Sequence, residues 1–124
     1  MFQNKMISNI LFVGFGGALG AISRFGINEI MERHLINSSS YSVLLINVIG
    51  CFLIGLIIGT SIPEKNTMYY FFIIGFLGSF TTMSALTYQT IEIANTNLIH
   101  AVSYIMFTVV ITIAATYIGT IIAK

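Results

Sequence analysis

Four apolar stretches, each about as long as a lipid bilayer is thick, constrain this chain more than any other feature. A hydrocarbon core about 30 Å thick takes roughly 20 residues of helix per crossing. Such runs extend from Ile7 to Ile30, Val43 to Ile62, Tyr69 to Ile91 and Leu98 to Ala123. They consume most of the 124 residues, so the connections are short and a single domain is expected, all-α and integral to the membrane. Only 7% of residues are charged and mean hydropathy is +0.95, far from the roughly one-quarter charged composition of soluble domains. Backbone groups in hydrocarbon must bond within their own segment, which selects helices over loops and open strands. The first run is too long for a cleaved signal peptide and lacks the basic start and small-residue cleavage site of one, so it is expected to remain as a helix.

Polar turns separate the spans. Asn37, Ser38, Ser39 and Ser40 mark the first connection; Pro63, with Glu64, Lys65 and Asn66 behind it, ends the second helix; Asn95 to Asn97 mark the third connection. Lys5, Lys65 and Lys124 share one side of the membrane, against Arg33 and Arg24 on the other. The cytoplasmic side normally carries the Lys/Arg excess. Three against one or two favours both termini inside, and the bias is small enough to permit both orientations.

Several function classes drop out. A net charge of +1 without a basic run argues against nucleic acid as a partner. The single cysteine, Cys51, lies within the second span and is read as a small packing residue, since no intrachain disulfide is available to it. His34 and His100 fall in opposite connections and no His, Cys or carboxylate cluster appears, so no enzyme is expected. Glu29, Glu32 and Glu92 lie near helix ends. A proton-coupled carrier normally needs a titratable acid inside the membrane, and none is placed there.

The polar and small residues inside the spans remain. Gly16 and Gly20, and again Gly55 and Gly59, have the four-residue spacing that lets membrane helices approach closely. Asn47 sits mid-span among apolar neighbours and must face protein or a pore. Tyr104, Thr108, Thr112 and Thr116 follow one another at intervals of four, on one face of the last helix; each hydroxyl either lines a path or bonds back to its own helix. From Gly75 to Ser84 the third span collects glycine and hydroxyl residues at mid-membrane depth. A break there is expected to lie inside protein or against a cavity, where freed carbonyls can coordinate a cation. Arg24, near the end of the first span, either snorkels to the interface or attracts anions. Four helices enclose little volume, so a transport path calls for a second copy or a homologous partner.

These residues, over essentially the whole chain, resemble the Fluc (CrcB-type) fluoride channel family. Gly16-Gly17-x-x-Gly20-Ala21-x-x-Arg24-Phe25 is similar to its first-helix motif, and Asn47-x-x-Gly50-x-Phe52-x-x-Gly55 to its second. Gly75-Phe76-Leu77-Gly78-Ser79-Phe80-Thr81-Thr82 resembles its third-helix break, and Tyr104 and Thr108 suit its fourth helix. The resemblance implies an antiparallel, dual-topology dimer in the cell membrane that exports fluoride passively and so limits its toxicity. It further implies a structural sodium ion at the dimer centre, held by backbone carbonyls matching Gly78 and Thr81, and a polar fluoride lining matching Asn47, Ser84, Tyr104 and Thr108.

One departure stands out. The family's Thr-Thr-Phe-Ser-Thr-Phe reads Thr81-Thr82-Met83-Ser84-Ala85-Leu86 here, so both pore aromatics are replaced. An aromatic edge carries partial positive charge and can face an anion, whereas Met83 and Leu86 offer no such edge; Phe80, three residues earlier, is the nearest ring. Either the two line a working pathway of a homodimer, or the chain is a non-conducting or half-pore subunit paired with a paralogue. Small multidrug transporters, also four-span dual-topology dimers, are the alternative carrier class; they require an embedded Glu in the first helix, where this chain has Gly and Ala.

Overall fold

A computed structural model describes residues 2–35, 39–60 and 64–124. Pro63, Ile62, Asn37 and Ser38, which the sequence assigns to helix ends and connections, lie outside those residues. The described chain is helical throughout its long segments. Helix α1 (Phe2–Ile30) continues through a wider π-type turn, Met31–Leu35. Helix α2 is Ser39–Thr60. Helix α3 is π-helical over Tyr69–Leu77 and α-helical over Gly78–Phe80. Helices α4 (Met83–Ala94) and α5 (Leu98–Ala123) complete the chain. Four segments, with α3 and α4 counted as one, are long and apolar enough to cross a membrane.

Local chemistry sets several of the ends. Asn66 Oδ1 accepts the Tyr69 N–H at 3.0 Å, and Asn97 Oδ1 accepts the His100 N–H at 3.1 Å; each satisfies a donor that the first turn of a helix leaves without a partner. Ser40, assigned above to the first connection, is instead in the first turn of α2. Arg24 also moves. Because α1 runs on to Leu35, at about 1.5 Å per residue Arg24 lies roughly 16 Å before the helix ends. Alternation of the spans brings His34 and His100 to the same end of the bundle rather than to opposite ends.

The spans pack as two close pairs, α1 with α3 and α2 with α5, and α4 lies against α5 and α2. Hydrophobicity does not drive helices together in lipid, so close van der Waals fit and interhelical hydrogen bonds must do so. Glycine provides the fit. A Cβ on Gly16 or Gly20 would overlap the carbonyl oxygens of Phe71 and Phe76 on α3, and one on Gly55 would overlap the Thr116 carbonyl on α5. Hydrogen bonds add to the fit: Thr116 donates to the Cys51 carbonyl at 2.9 Å within the α2–α5 pair, and the Ser42 hydroxyl donates to Asn28 Oδ1, tying one pair to the other through α2 and α1. Ile46 and Ser42 are fully enclosed where these helices meet.

Candidate functional site

The backbone leaves the helix at two residues only along the third span. Thr81 (φ −78°, ψ 153°) and Thr82 (φ −147°, ψ 119°) are both extended, near the midpoint of Tyr69–Ala94. Gly75 and Gly78 remain within helical segments, and among the described residues no glycine has positive φ. Gly75 serves close packing, since a Cβ there would lie 2.8 Å from the Val13 carbonyl oxygen.

Extended backbone at this depth needs partners from outside its own helix, and Asn47 supplies them. Its Oδ1 accepts the Thr82 N–H at 2.8 Å, and its Nδ2 donates to the Thr82 carbonyl at 3.2 Å. One side-chain amide thus replaces the helical partner of the Thr82 N–H and adds a second bond to its carbonyl, which also opens the α4 ladder as N-cap. Asn47 is itself only 7% exposed. Downstream, the Thr82 hydroxyl accepts the Ala85 N–H at 3.1 Å and caps α4. An uninterrupted helix would have sent the Thr82 N–H to the Gly78 carbonyl and the Ala85 N–H to the Thr81 carbonyl. Both donors are diverted, to Asn47 and to the Thr82 hydroxyl. The donor set left at Gly78 and Thr81 is hard carbonyl oxygen, the ligand type that unwound membrane helices offer to alkali cations. Among the described residues no group of three or more His, Cys, Asp or Glu is placed to hold a metal.

Beside this interruption runs an open groove of about 310 Å³ whose walls include Asn47, Thr82, Met83, Leu86, Thr108 and Thr112. Of the six residues expected on the fluoride path, four, Asn47, Met83, Leu86 and Thr108, therefore meet, with Thr81 and Thr112 beside them. The two that replace the family phenylalanines differ in placement: Met83 is 69% exposed and Leu86 only 5%. Tyr104 is not on this groove. It lines a neighbouring recess of about 480 Å³ together with Ser40, Thr96, His100 and Ser103, and its hydroxyl donates to the Ser40 carbonyl at 2.9 Å. Ser84 is exposed at the start of α4, within 3.2 Å of the Thr82 hydroxyl. Arg24 stands apart on α1, and its Nε is buried without a hydrogen-bond partner.

The hydroxyl stripe on α5 takes the back-bonded form. Thr108 donates to the Tyr104 carbonyl (2.8 Å) and Thr112 to the Thr108 carbonyl (2.7 Å). Their oxygens are thereby presented to the groove with the proton turned inward, and rotation about the C–O bond converts each from acceptor to donor. Asn47 as a clamp on Thr82, and Thr82 as a cap, are roles that the sequence reading missed; the Thr82 cap was findable, because Thr followed by an apolar-periodic run is a helix-start signal.

Comparison with known proteins gives a consistent picture. The profile of the family described as CrcB-like protein, Camphor Resistance (CrcB), matches residues 11–120. A protein of Dehalococcoides mccartyi named fluoride-specific ion channel FluC is 35% identical over 117 residues, covering 91% of this chain and 90% of the relative. A Campylobacter lari protein of the same name is 34% identical over 122 residues, covering 96% of this chain and all of the relative.

Proposed function

This chain belongs to the CrcB-like family, and from that premise we propose that it is a fluoride-selective channel, a multi-pass membrane protein that lets fluoride leave the cytoplasm down its gradient. Fluoride holds its water tightly, so a narrow path must offer replacement donors. Neutral amide and hydroxyl groups do this without the full charge that would trap the ion. The observation that carries the reading is the mid-membrane groove of Asn47, Thr108 and Thr112 beside extended Thr81–Thr82, with no carboxylate in its wall. Ser84 adds a hydroxyl beside Thr82 at the start of α4, Tyr104 extends the polar surface toward the end where α2 and α5 begin, and Arg24, whose Nε is unpartnered, attracts anions toward the protein from its separate place on α1.

The functional unit in this reading is an antiparallel, dual-topology dimer. What supports it is that the groove is open on one side and that Met83, at its rim, is 69% exposed in the single chain. The diverted donors support a structural sodium at the dimer centre, held by the Gly78 and Thr81 carbonyls of each copy. Such an ion would supply positive charge at the axis and tie the two interrupted spans together.

Met83 and Leu86 favour a second reading of the assembly, in which the chain pairs with a paralogous subunit that supplies the aromatic lining. Fluoride efflux from liposomes separates the two. Efflux by this chain alone supports the homodimer, and efflux only after co-reconstitution with a paralogue supports the heterodimer. No efflux in either case would overturn the channel assignment.

A further inference from the structure

The largest of the grooves described, about 710 Å³, lies away from the proposed pathway, between the start of α1 and the start of α3. Its wall is mainly apolar, from Phe2, Met6, Ile10, Val13 and Ile74, and its polar groups are Lys5, Lys65, Asn9 and the Tyr70 side chain. Both helices begin at the same membrane face, so the lysines sit together at the mouth. No carboxylate lines the groove, and neither lysine forms an ion pair with a described residue; Glu64, next to Lys65, is exposed.

We propose that this groove binds an anionic phospholipid, its phosphate between Lys5 and Lys65 and one acyl chain lying along α1. The dimensions favour a lipid over a free phosphate. From Lys5, where the phosphate sits, to Val13 the groove follows α1 for about 12 Å at ~1.5 Å per residue, most of one leaflet of a hydrocarbon core about 30 Å thick. A free anion has no use for that apolar wall. Charge selects among lipids, because two cations without a facing acid favour a net-negative headgroup over a zwitterionic one. Asn9, about 6 Å inward of Lys5 along α1, and Tyr70 add neutral donors just beneath the headgroup.

The test uses the full-length chain in phosphatidylcholine vesicles with trace spin-labelled phosphatidylglycerol or spin-labelled phosphatidylcholine, the immobilised fraction of each being read by electron paramagnetic resonance. The wild type is expected to immobilise the anionic probe preferentially. Lys5→Gln combined with Lys65→Gln should lower that preference by roughly 5- to 25-fold, at about fivefold per lysine, while Lys124→Gln leaves it unchanged. Met6→Trp, which fills the groove and keeps both charges, should also abolish it without altering the oligomeric state. The proposal is overturned if the double lysine variant keeps the preference or if Lys124→Gln lowers it equally. It is overturned too if inorganic phosphate displaces the probe, or if Met6→Trp breaks the oligomer and so assigns the groove to a second copy.

Discussion

Replacing Asn47 by Ala removes both side-chain hydrogen bonds to Thr82 and leaves the Thr82 N–H without a partner at mid-membrane, while its carbonyl and hydroxyl keep their roles as N-cap of α4. Two figures estimate the cost. A buried polar group stranded by loss of its partner costs about 1–3 kcal/mol, which applies to the Thr82 N–H alone. Measured side-chain hydrogen bonds within membrane proteins average about 0.6 kcal/mol with a maximum near 1.7, which for two bonds gives roughly 1–3 kcal/mol. The two ranges agree, and Thr82, only partly buried beside a groove of about 310 Å³, belongs toward their lower part. Asn47→Ala should therefore destabilise the protein by about 1–3 kcal/mol in detergent-titrated unfolding. Asn47→Asp keeps the acceptor for the Thr82 N–H but sets a carboxylate oxygen against the Thr82 carbonyl and a negative charge beside the groove. Its stability should fall comparably and its fluoride efflux further than that of Asn47→Ala. A change below about 0.5 kcal/mol for Asn47→Ala, with wild-type efflux for Asn47→Asp, would refute both the clamp and the pathway argument.

Gly20→Ala puts a methyl group onto the Phe76 carbonyl and should cost more than about 2 kcal/mol, the upper part of the range for overpacking, seen as a lower melting temperature in detergent. Met83→Phe, at an exposed position, should raise efflux with little change in stability, whereas Leu86→Phe should destabilise by about 1–3 kcal/mol because Leu86 is 5% exposed; efflux and melting curves of the two variants check this. Arg24→Gln should reduce efflux most at low ionic strength, where an unscreened charge acts furthest, and equal reduction at high salt would count against attraction. Replacing sodium by N-methylglucamine during purification should lower the melting temperature of the assembled protein, and an unchanged value would remove support for a resident cation.

The four spans were legible because length and hydropathy alone decide whether a segment can cross lipid. Glycine was less easily read. The run from Gly75 to Ser84 announces something other than plain helix, but glycine in a membrane helix signals both loose backbone and close approach. Gly75 turns out to serve close approach, while the extended residues are the threonines beyond it. Asn47 illustrates a second limit. That it must face inward follows from its polarity, but its partner, Thr82, lies 35 residues away, and nothing local encodes that pairing. Tyr104 shares a helical face with Thr108 and yet opens onto a different recess, because the neighbouring helices, absent from any one-helix reading, divide that face.

The long sequence separation of the bonds to α2 has a consequence for how the protein is made. Asn47 bonds a residue 35 positions later, Ser40 one 64 later and Cys51 one 65 later. At ~5–20 residues per second of ribosomal synthesis, the Asn47 amide waits about 2–7 s for Thr82 to be made, and the carbonyls of Ser40 and Cys51 wait longer for α5. During that interval α2 holds its most polar side chain unmatched, so insertion of the second span has to rest on its own mean hydropathy of 2.6, the highest of the four, and its fastening to α4 and α5 follows only once they are made.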